Sequence, residues 1–269
     1  MELPFHPKKR LGQHFLADSN MAAKIVAALS APPGAPVVEI GPGTGALTRL
    51  LLQRYEDITA VEVDKRAVAH LASAYESLTV RNADVLKLDW TAFAEAKGAR
   101  LHVIGNLPYN ITSPILFGLL RHRHALRQAV LMMQREVAQR LVARHKTKEY
   151  GIPSVLTQLY ASPTLLFRVP RQVFVPVPAV ESATVLLDFD KAEVPDTSPV
   201  LLHAVVRSAF GQRRKMLRNS LHRWTRSRGV TLPGTWERMR AEDLTPEDFV
   251  ALTRHLEAAY RSPPVSSAR

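Results

Sequence analysis

Short apolar, β-branched runs recur along the first two thirds of the chain and alternate with stretches of helical spacing. The runs at 37–40, 59–64, 79–84, 101–106, 129–134, 165–169 and 183–189 predict strands. Several, such as those ending near Asp64 and Asn106, are continuously apolar rather than alternating, as suits strands covered on both faces. Between them, 46–55 and 66–75 have helical spacing. This order predicts βαβ units and a mainly parallel sheet, an α/β fold. The pattern then changes. Positions 188–199 are polar and hold two prolines, which predicts a linker. Beyond it, 200–209, 215–226 and 246–260 all read as helices, and the Pro/Ser-rich tail from Ser262 reads as frayed. The expected organisation is a sheet domain over 1–190 and a small helical domain over 191–269. Neither internal repeats nor low-complexity tracts interrupt it.

The ends of the predicted strands carry the polar chemistry. Glu39, Ile40, Gly41, Pro42, Gly43, Thr44 and Gly45 lead from the first strand of that series into a helix. Glycines there let a ligand approach the backbone, although a tight strand-to-helix turn needs them too. Glu62 lies 21 residues after Gly41 at the end of the next strand, where a carboxylate can accept both hydroxyls of a ribose. Asp84 ends the third, placed to accept from an adenine amine, and Asn106 ends the fourth. A fold alone accounts for polar strand ends but not for this series. It fits a nucleoside cofactor without a pyrophosphate, which favours S-adenosylmethionine over a dinucleotide.

Asn106, Leu107, Pro108 and Tyr109 then form a compact motif. By itself it could be an Asx-type turn with a half-buried tyrosine. Beside a nucleoside site it has a chemical reading. An exocyclic adenine amine is a poor nucleophile because its lone pair is delocalised into the ring. Acceptors held against its N–H bonds draw the nitrogen toward tetrahedral geometry and free that pair. The Asn106 side-chain oxygen and the Leu107 carbonyl are the candidate acceptors. Pro108 fixes the local φ, and Tyr109 offers a ring for an extracted base. Related motifs serve DNA adenine and protein glutamine methylation, and Leu107 in the second position leans toward RNA.

Composition narrows the classes further. With no cysteine, disulfides, thiolate metal sites and cysteine nucleophiles are excluded. Ten histidines are scattered without metal-ligand spacing, so no metal is expected. No apolar run approaches the ~20 residues of a membrane helix, and positions 1–10 lack the apolar core of a signal peptide. The expected compartment is the cytoplasm and the expected state a monomer without membrane contact. The net charge of +12 points to nucleic acid. Its placement is informative: positions 201–269 hold 13 Lys and Arg against 6 Asp and Glu, and 207–228 hold eight basic residues and no acidic one. The alternative is a solvated helix face.

With these motifs in place, the sequence from about Lys8 to Phe249 resembles the bacterial small-subunit ribosomal RNA adenine dimethyltransferases, the KsgA family. The opening block at 8–16, Glu39 to Gly45, Glu62 with Asp64, Asn82 to Asp84, Asn106 to Tyr109, Phe174 to Ser182, and the basic segments 212–215 and 218–221 carry the likeness. The resemblance implies a Rossmann-like S-adenosylmethionine methyltransferase domain with a helical RNA-binding domain behind it. It implies that His14, Leu16, Gly41, Glu62, Asp84 and Asn106 contact the cofactor, and that Phe174 faces the target base. Many relatives carry asparagine at the position of His14. The implied substrate is a pair of adjacent adenosines in the 3′-terminal hairpin loop of small-subunit rRNA, each dimethylated during maturation of the small ribosomal subunit. Two other readings stay open here. One is a large-subunit rRNA adenine methyltransferase of the macrolide-resistance type, and the other a non-catalytic ribosome-assembly factor that only holds RNA.

Overall fold

The computed structural model describes residues 4–8, 11–190, 196–226 and 230–261. Lys9 and Arg10 of the opening block, part of the predicted linker, positions 227–228 of the basic stretch and the tail from 262 lie outside the described residues. The strands are β1 (Phe15–Leu16), β2 (Val37–Ile40), β3 (Ile58–Glu62), β4 (Thr79–Asn82), β5 (Leu101–Asn106), β6 (Leu126–Gln134), β7 (Ser162–Val169), β8 (Phe174–Val175) and β9 (Ser182–Asp188).

Seven strands form one sheet in the order β4-β3-β2-β5-β6-β9-β7. The pairings from β4 through to β6 are parallel, while β9 runs antiparallel to both β6 and β7. The central strands β2 and β3 are buried at every position and β5 at all but its last, as continuously apolar strands covered on both faces should be. Edge strand β4 is exposed or half-buried throughout. The chain runs from β2 outward to β4, then returns to lay β5 on the opposite side of β2. That reversal is a topological switch point, and ligands of open α/β sheets bind in the crevice beyond the strand ends there. Helix Ser19–Ala27 buries Ala22, Ile25 and Val26 in a core shared with Leu47, Leu51, Ile58 and Leu71. Asp18 caps its start by accepting from the Met21 N–H at 2.7 Å.

The sequence pattern matches β2 and β5 residue for residue but overextends β3 and β4, which end at Glu62 and Asn82. Asp64 and Asp84 are N-caps of the following helical turns, accepting from Arg66 and Leu86 N–H groups. The helix expected over 46–55 is the short Thr48–Leu51, and the one over 215–226 divides into Leu217–Ser220 and His222–Arg226.

By its contacts the chain divides into two units. The first comprises 1–139 and 161–192, the second 140–160 and 193–269. The sequence pattern places a single boundary near 190, whereas the second unit also takes in 140–160 with helix Ile152–Tyr160. That helix is buried over most of its length. Within the second unit, the Phe210 ring stacks on Phe249 and meets Tyr150 edge-on, with centroids 5.7 and 5.9 Å away. Arg213 pairs with Glu242 at 2.7 Å and donates to the Thr147 carbonyl.

Candidate active site

A cavity of about 320 Å³ opens at the switch point of the first unit, within the size range of small-molecule sites, ~300–1,000 Å³. Residues at the ends of β2, β3 and β5, together with Ala83 to Leu86 just after β4 and the segment 11–16, line it. His14, Leu16, Gly41, Glu62, Asp84, Asn106, Leu107, Pro108 and Tyr109 are all in that lining.

Gly41 follows β2 with a φ of +62°, a region costly for any residue with a Cβ. Two residues on, Gly43 has φ +57°, and a Cβ there would come within 2.9 Å of the Phe15 ring. The glycine run therefore lets the opening segment close over the loop, as well as letting a ligand approach it.

Glu62 is nearly fully buried. One carboxylate oxygen accepts from the Val63 and Asp64 N–H groups at 2.8 Å each, and the other from the Gly43 N–H at 3.3 Å. Burial raises its pKa, and these three donors oppose the shift. The carboxylate is thus held in one orientation, and the oxygen that meets Gly43 keeps one of its roughly two lone-pair sites open. Asp84 spends one oxygen on the Leu86 N–H at 3.0 Å. Its other oxygen has no partner among the described residues. Val63 and Leu86 are 53% and 45% exposed yet line the cavity, so they give it apolar walls beside these two acids. Neither is evident from the sequence, because an apolar residue at a strand end reads as core.

Asn106 ends β5 half-buried, and its side-chain nitrogen donates to the His14 carbonyl at 2.9 Å. That bond fixes which way the amide points and leaves the side-chain oxygen to accept. The Leu107 N–H is bonded to the Met132 carbonyl at 2.9 Å, and no donor among the described residues reaches the Leu107 carbonyl. The Pro108 carbonyl is taken by Thr112 and Ile111. Tyr109 bonds Ser182 through its hydroxyl at 2.7 Å, and the His14 ring stacks on it with centroids 5.4 Å apart. Burial raises the Tyr109 pKa, so it stays a neutral phenol. Ser182 closes the 174–182 motif, but its bond to the tyrosine leaves no mark in the sequence.

The resemblance places Phe174 facing the target base. Its side chain is fully buried in the core and is absent from the cavity lining. The cause is the pairing of β8 with β1, Leu16 opposite Phe174 and Phe15 opposite Val175. Alternation along β8 turns Phe174 inward and leaves Val175 exposed.

Two further groups belong to motifs read in the sequence but have roles that the sequence pattern does not give. Glu39 is buried on β2, accepts from the Thr48 hydroxyl at 2.6 Å, and is pushed up to about 7 by burial. Asp64, its side chain 1% exposed, receives Arg66 at 2.6 Å and Lys8 at 3.3 Å, and Gln13 donates to it at 3.2 Å. The Arg66 guanidinium holds its carboxyl well below the usual range. Asp64 thereby ties the opening segment to β3.

Over residues 5–257 the chain matches the ribosomal RNA adenine dimethylase family. It belongs to that family. The ribosomal RNA small subunit methyltransferase A of Salinibacter ruber is 54% identical over 263 residues, covering 96% of this chain and 88% of the relative. That of Leptothrix cholodnii is 43% identical, covering 97% and 96%. Among solved structures, a dimethyladenosine transferase from Plasmodium falciparum aligns with TM-score 0.75 at 24% identity, over 92% of this chain and 98% of that one. The 23S rRNA methyltransferase ErmE aligns with TM-score 0.66 at 26% identity, over 90% and 99%. The fold is that of the Rossmann-like methyltransferases, and the chain is an rRNA adenine methyltransferase.

Proposed function

We propose that the protein transfers methyl groups from S-adenosylmethionine to the exocyclic amines of two adjacent adenosines in the 3′-terminal hairpin loop of small-subunit rRNA, two to each, during maturation of the small ribosomal subunit. The observation that carries the reading is the polarity of Asn106. Its amide nitrogen is spent on the His14 carbonyl, so its oxygen and the Leu107 carbonyl are left as acceptors at the cavity beside Tyr109.

The lining fits the cofactor. Glu62 is an oriented buried acceptor with a site left for a ribose hydroxyl, and Asp84 keeps an oxygen for an adenine amine. Val63 and Leu86 supply apolar faces for the ring, Gly41 a close backbone approach, and Leu16 and the His14 main chain the cover. The bound cofactor supplies an electrophilic methyl group on a sulfonium. The protein's own part is to receive the adenine on Tyr109 and accept both N–H bonds at Asn106 and Leu107. This localises the lone pair on the nitrogen for in-line attack. No group of the protein becomes covalently attached, so positioning and exclusion of water supply most of the rate. As the N–C bond forms, the methyl–sulfur bond would break to leave a neutral thioether, and the amine sheds one proton to solvent; it keeps one N–H after the first methylation, enough for a second round.

The small-subunit target rests on the two relatives named above, whose similarity extends through the second unit. The proposed split of labour, catalysis in the first unit and RNA grip in the second, follows the exposed basic residues Arg214, Lys215 and Arg218. Methyl-labelled cofactor should transfer label to small-subunit rRNA with the wild-type protein. Asn106→Ala should lower that rate on the order of 100-fold or more while leaving RNA affinity intact. Near-normal turnover by that variant overturns the role given to Asn106.

A further inference from the structure

The strand ends opposite the cavity carry a charge cluster that the reaction does not use. At ~3.3 Å per residue, the length of β5 puts its first residue, Leu101, ~17 Å from Asn106. Where β6 begins, positions 121–127 read Arg, His, Arg, His, Ala, Leu, Arg and hold no acid. They carry the chain from the end of helix Thr112–Arg121 through the short turn Arg123–Ala125 into the strand, and Arg121, His124 and Arg127 are exposed. A cation in the last turn of a helix complements the helix dipole, which accounts for Arg121 but for nothing after it. Arg127 has a different reason for its place. Leu101 faces Leu126 but His102 faces Gln128, so Arg127 is the extra residue of a bulge, a feature that re-aims a side chain. It reaches Asp190, just past the end of β9, at 3.0 Å. Arg100 pairs with the other oxygen of that carboxylate and donates to the Leu126 carbonyl.

One exposed carboxylate thus serves two arginines, and it does not exhaust them. The buried Arg100 Nε meets no acceptor among the described residues. Both neighbouring histidines feel the surplus. Burial, then Arg127, pushes the His102 pKa down, with Arg100 adding to the shift and Asp190 opposing it. Burial, then Arg123 and Arg100, pushes the His124 pKa down, so both rings stay neutral at pH 7. Building on the rRNA reading above, we infer that this cluster is a phosphate-binding surface, and that it takes a stretch of rRNA other than the hairpin that presents the target adenosines. The guanidinium fork matches phosphate oxygens, and three exposed side chains offer their donors to solvent. A hairpin whose loop enters the cavity extends away from that end of the sheet, so phosphates at the opposite end belong to another part of the RNA. An arriving phosphate competes with Asp190 for Arg100 and Arg127 and adds to the grip proposed for the second unit.

The test measures binding to two probes at several salt concentrations: small-subunit rRNA free of ribosomal proteins, and a synthetic oligonucleotide of its 3′-terminal hairpin. A variant carrying Arg121→Gln, His124→Gln and Arg127→Gln together should lose about 10-fold in rRNA affinity, and its slope of log K on log salt should flatten by ~0.7–0.9 for each phosphate released. Its affinity for the hairpin should stay within about two-fold. Asp190→Asn keeps every arginine and removes the competing charge, so it should bind rRNA more tightly than wild type. An unchanged rRNA affinity and slope in the folded triple variant overturns the inference, as does an equal loss for rRNA and hairpin. Asp190→Asn that folds but binds rRNA no more tightly also overturns it, and marks the cluster as an ion network that only holds the strand ends. Should the triple variant fail to fold, Arg121→Gln with His124→Gln, which leaves both pairs of Asp190 in place, decides by the same readings. All of these are binding measurements. A wild-type protein that bound as described but transferred no methyl group would overturn the methyltransferase reading and leave this surface standing.

Discussion

Glu62 and Glu39 illustrate how the same residue type is set to different tasks by what surrounds it. Glu62 meets three backbone N–H groups, which hold it as an oriented acceptor. Glu62→Ala should weaken cofactor binding by roughly 1–3 kcal/mol, the usual loss for a charge-assisted hydrogen bond. Calorimetry on the folded variant checks this, and unchanged affinity removes Glu62 from the ribose site. Glu39 meets one hydroxyl, and its carboxyl is pushed up to about 7. The folded state therefore holds that proton more tightly than the unfolded chain, whose carboxyl titrates near 4.5. The stability gained from that proton is fully present below about 4.5 and is lost as pH rises through about 7. Urea unfolding at pH 5 and pH 8 should show wild type losing more stability over this interval than Glu39→Gln. Equal losses would mean that Glu39 is ionised in the folded protein at both values.

At the scale of elements, the opening segment is bound to the site it covers. Lys8 and Gln13 meet Asp64, the His6 carbonyl accepts from Arg66, the Phe5 and Phe15 rings meet edge-on, and β1 pairs with β8. Asp64→Asn removes the charge at the centre of this arrangement. It should cost roughly 1–3 kcal/mol, less where the exposed Lys8 and Arg66 ends are screened by solvent. Cleavage near positions 8–16 in limited proteolysis should accelerate relative to wild type, and an unchanged rate would mean that Asp64 serves only as a helix cap. The strands and the glycine run are legible in the sequence because apolar runs and turn residues act locally. Asn106 and Glu62 are legible because each ends a strand. The two-residue strands β1 and β8 are not, since their pairing joins positions far apart in the chain. Nothing in a local proline-rich stretch says which way the Phe174 ring turns, and only the resemblance assigns it to the base. Helix Ile152–Tyr160 goes unread for a local reason, because Gly151 and Pro153 at its start read as a turn.

At the scale of the whole molecule, a chemical cavity in one unit and an excess of positive charge in the other suit an enzyme whose substrate is a large polyanion. The structure refines which charges matter. Arg213 is paired with Glu242 and holds the second unit together, whereas Arg214, Lys215 and Arg218 are exposed. Neutralising those three together should weaken RNA binding and flatten the dependence of log K on log salt by up to about 0.7–0.9 for each phosphate no longer neutralised by the protein. Titrations at several salt concentrations read this directly, and identical slopes would shift the grip to Arg140, Arg144 and Lys148. The methylated product tests the assignment of the activity most directly. Small-subunit rRNA from particles incubated with the protein and S-adenosylmethionine can be digested to nucleosides and oligonucleotides and weighed by mass spectrometry. Dimethyladenosine should appear at two neighbouring positions of the 3′-terminal hairpin loop, and at neither with Asn106→Ala. Unmethylated small-subunit RNA, with methyl groups appearing on large-subunit RNA instead, would contradict it.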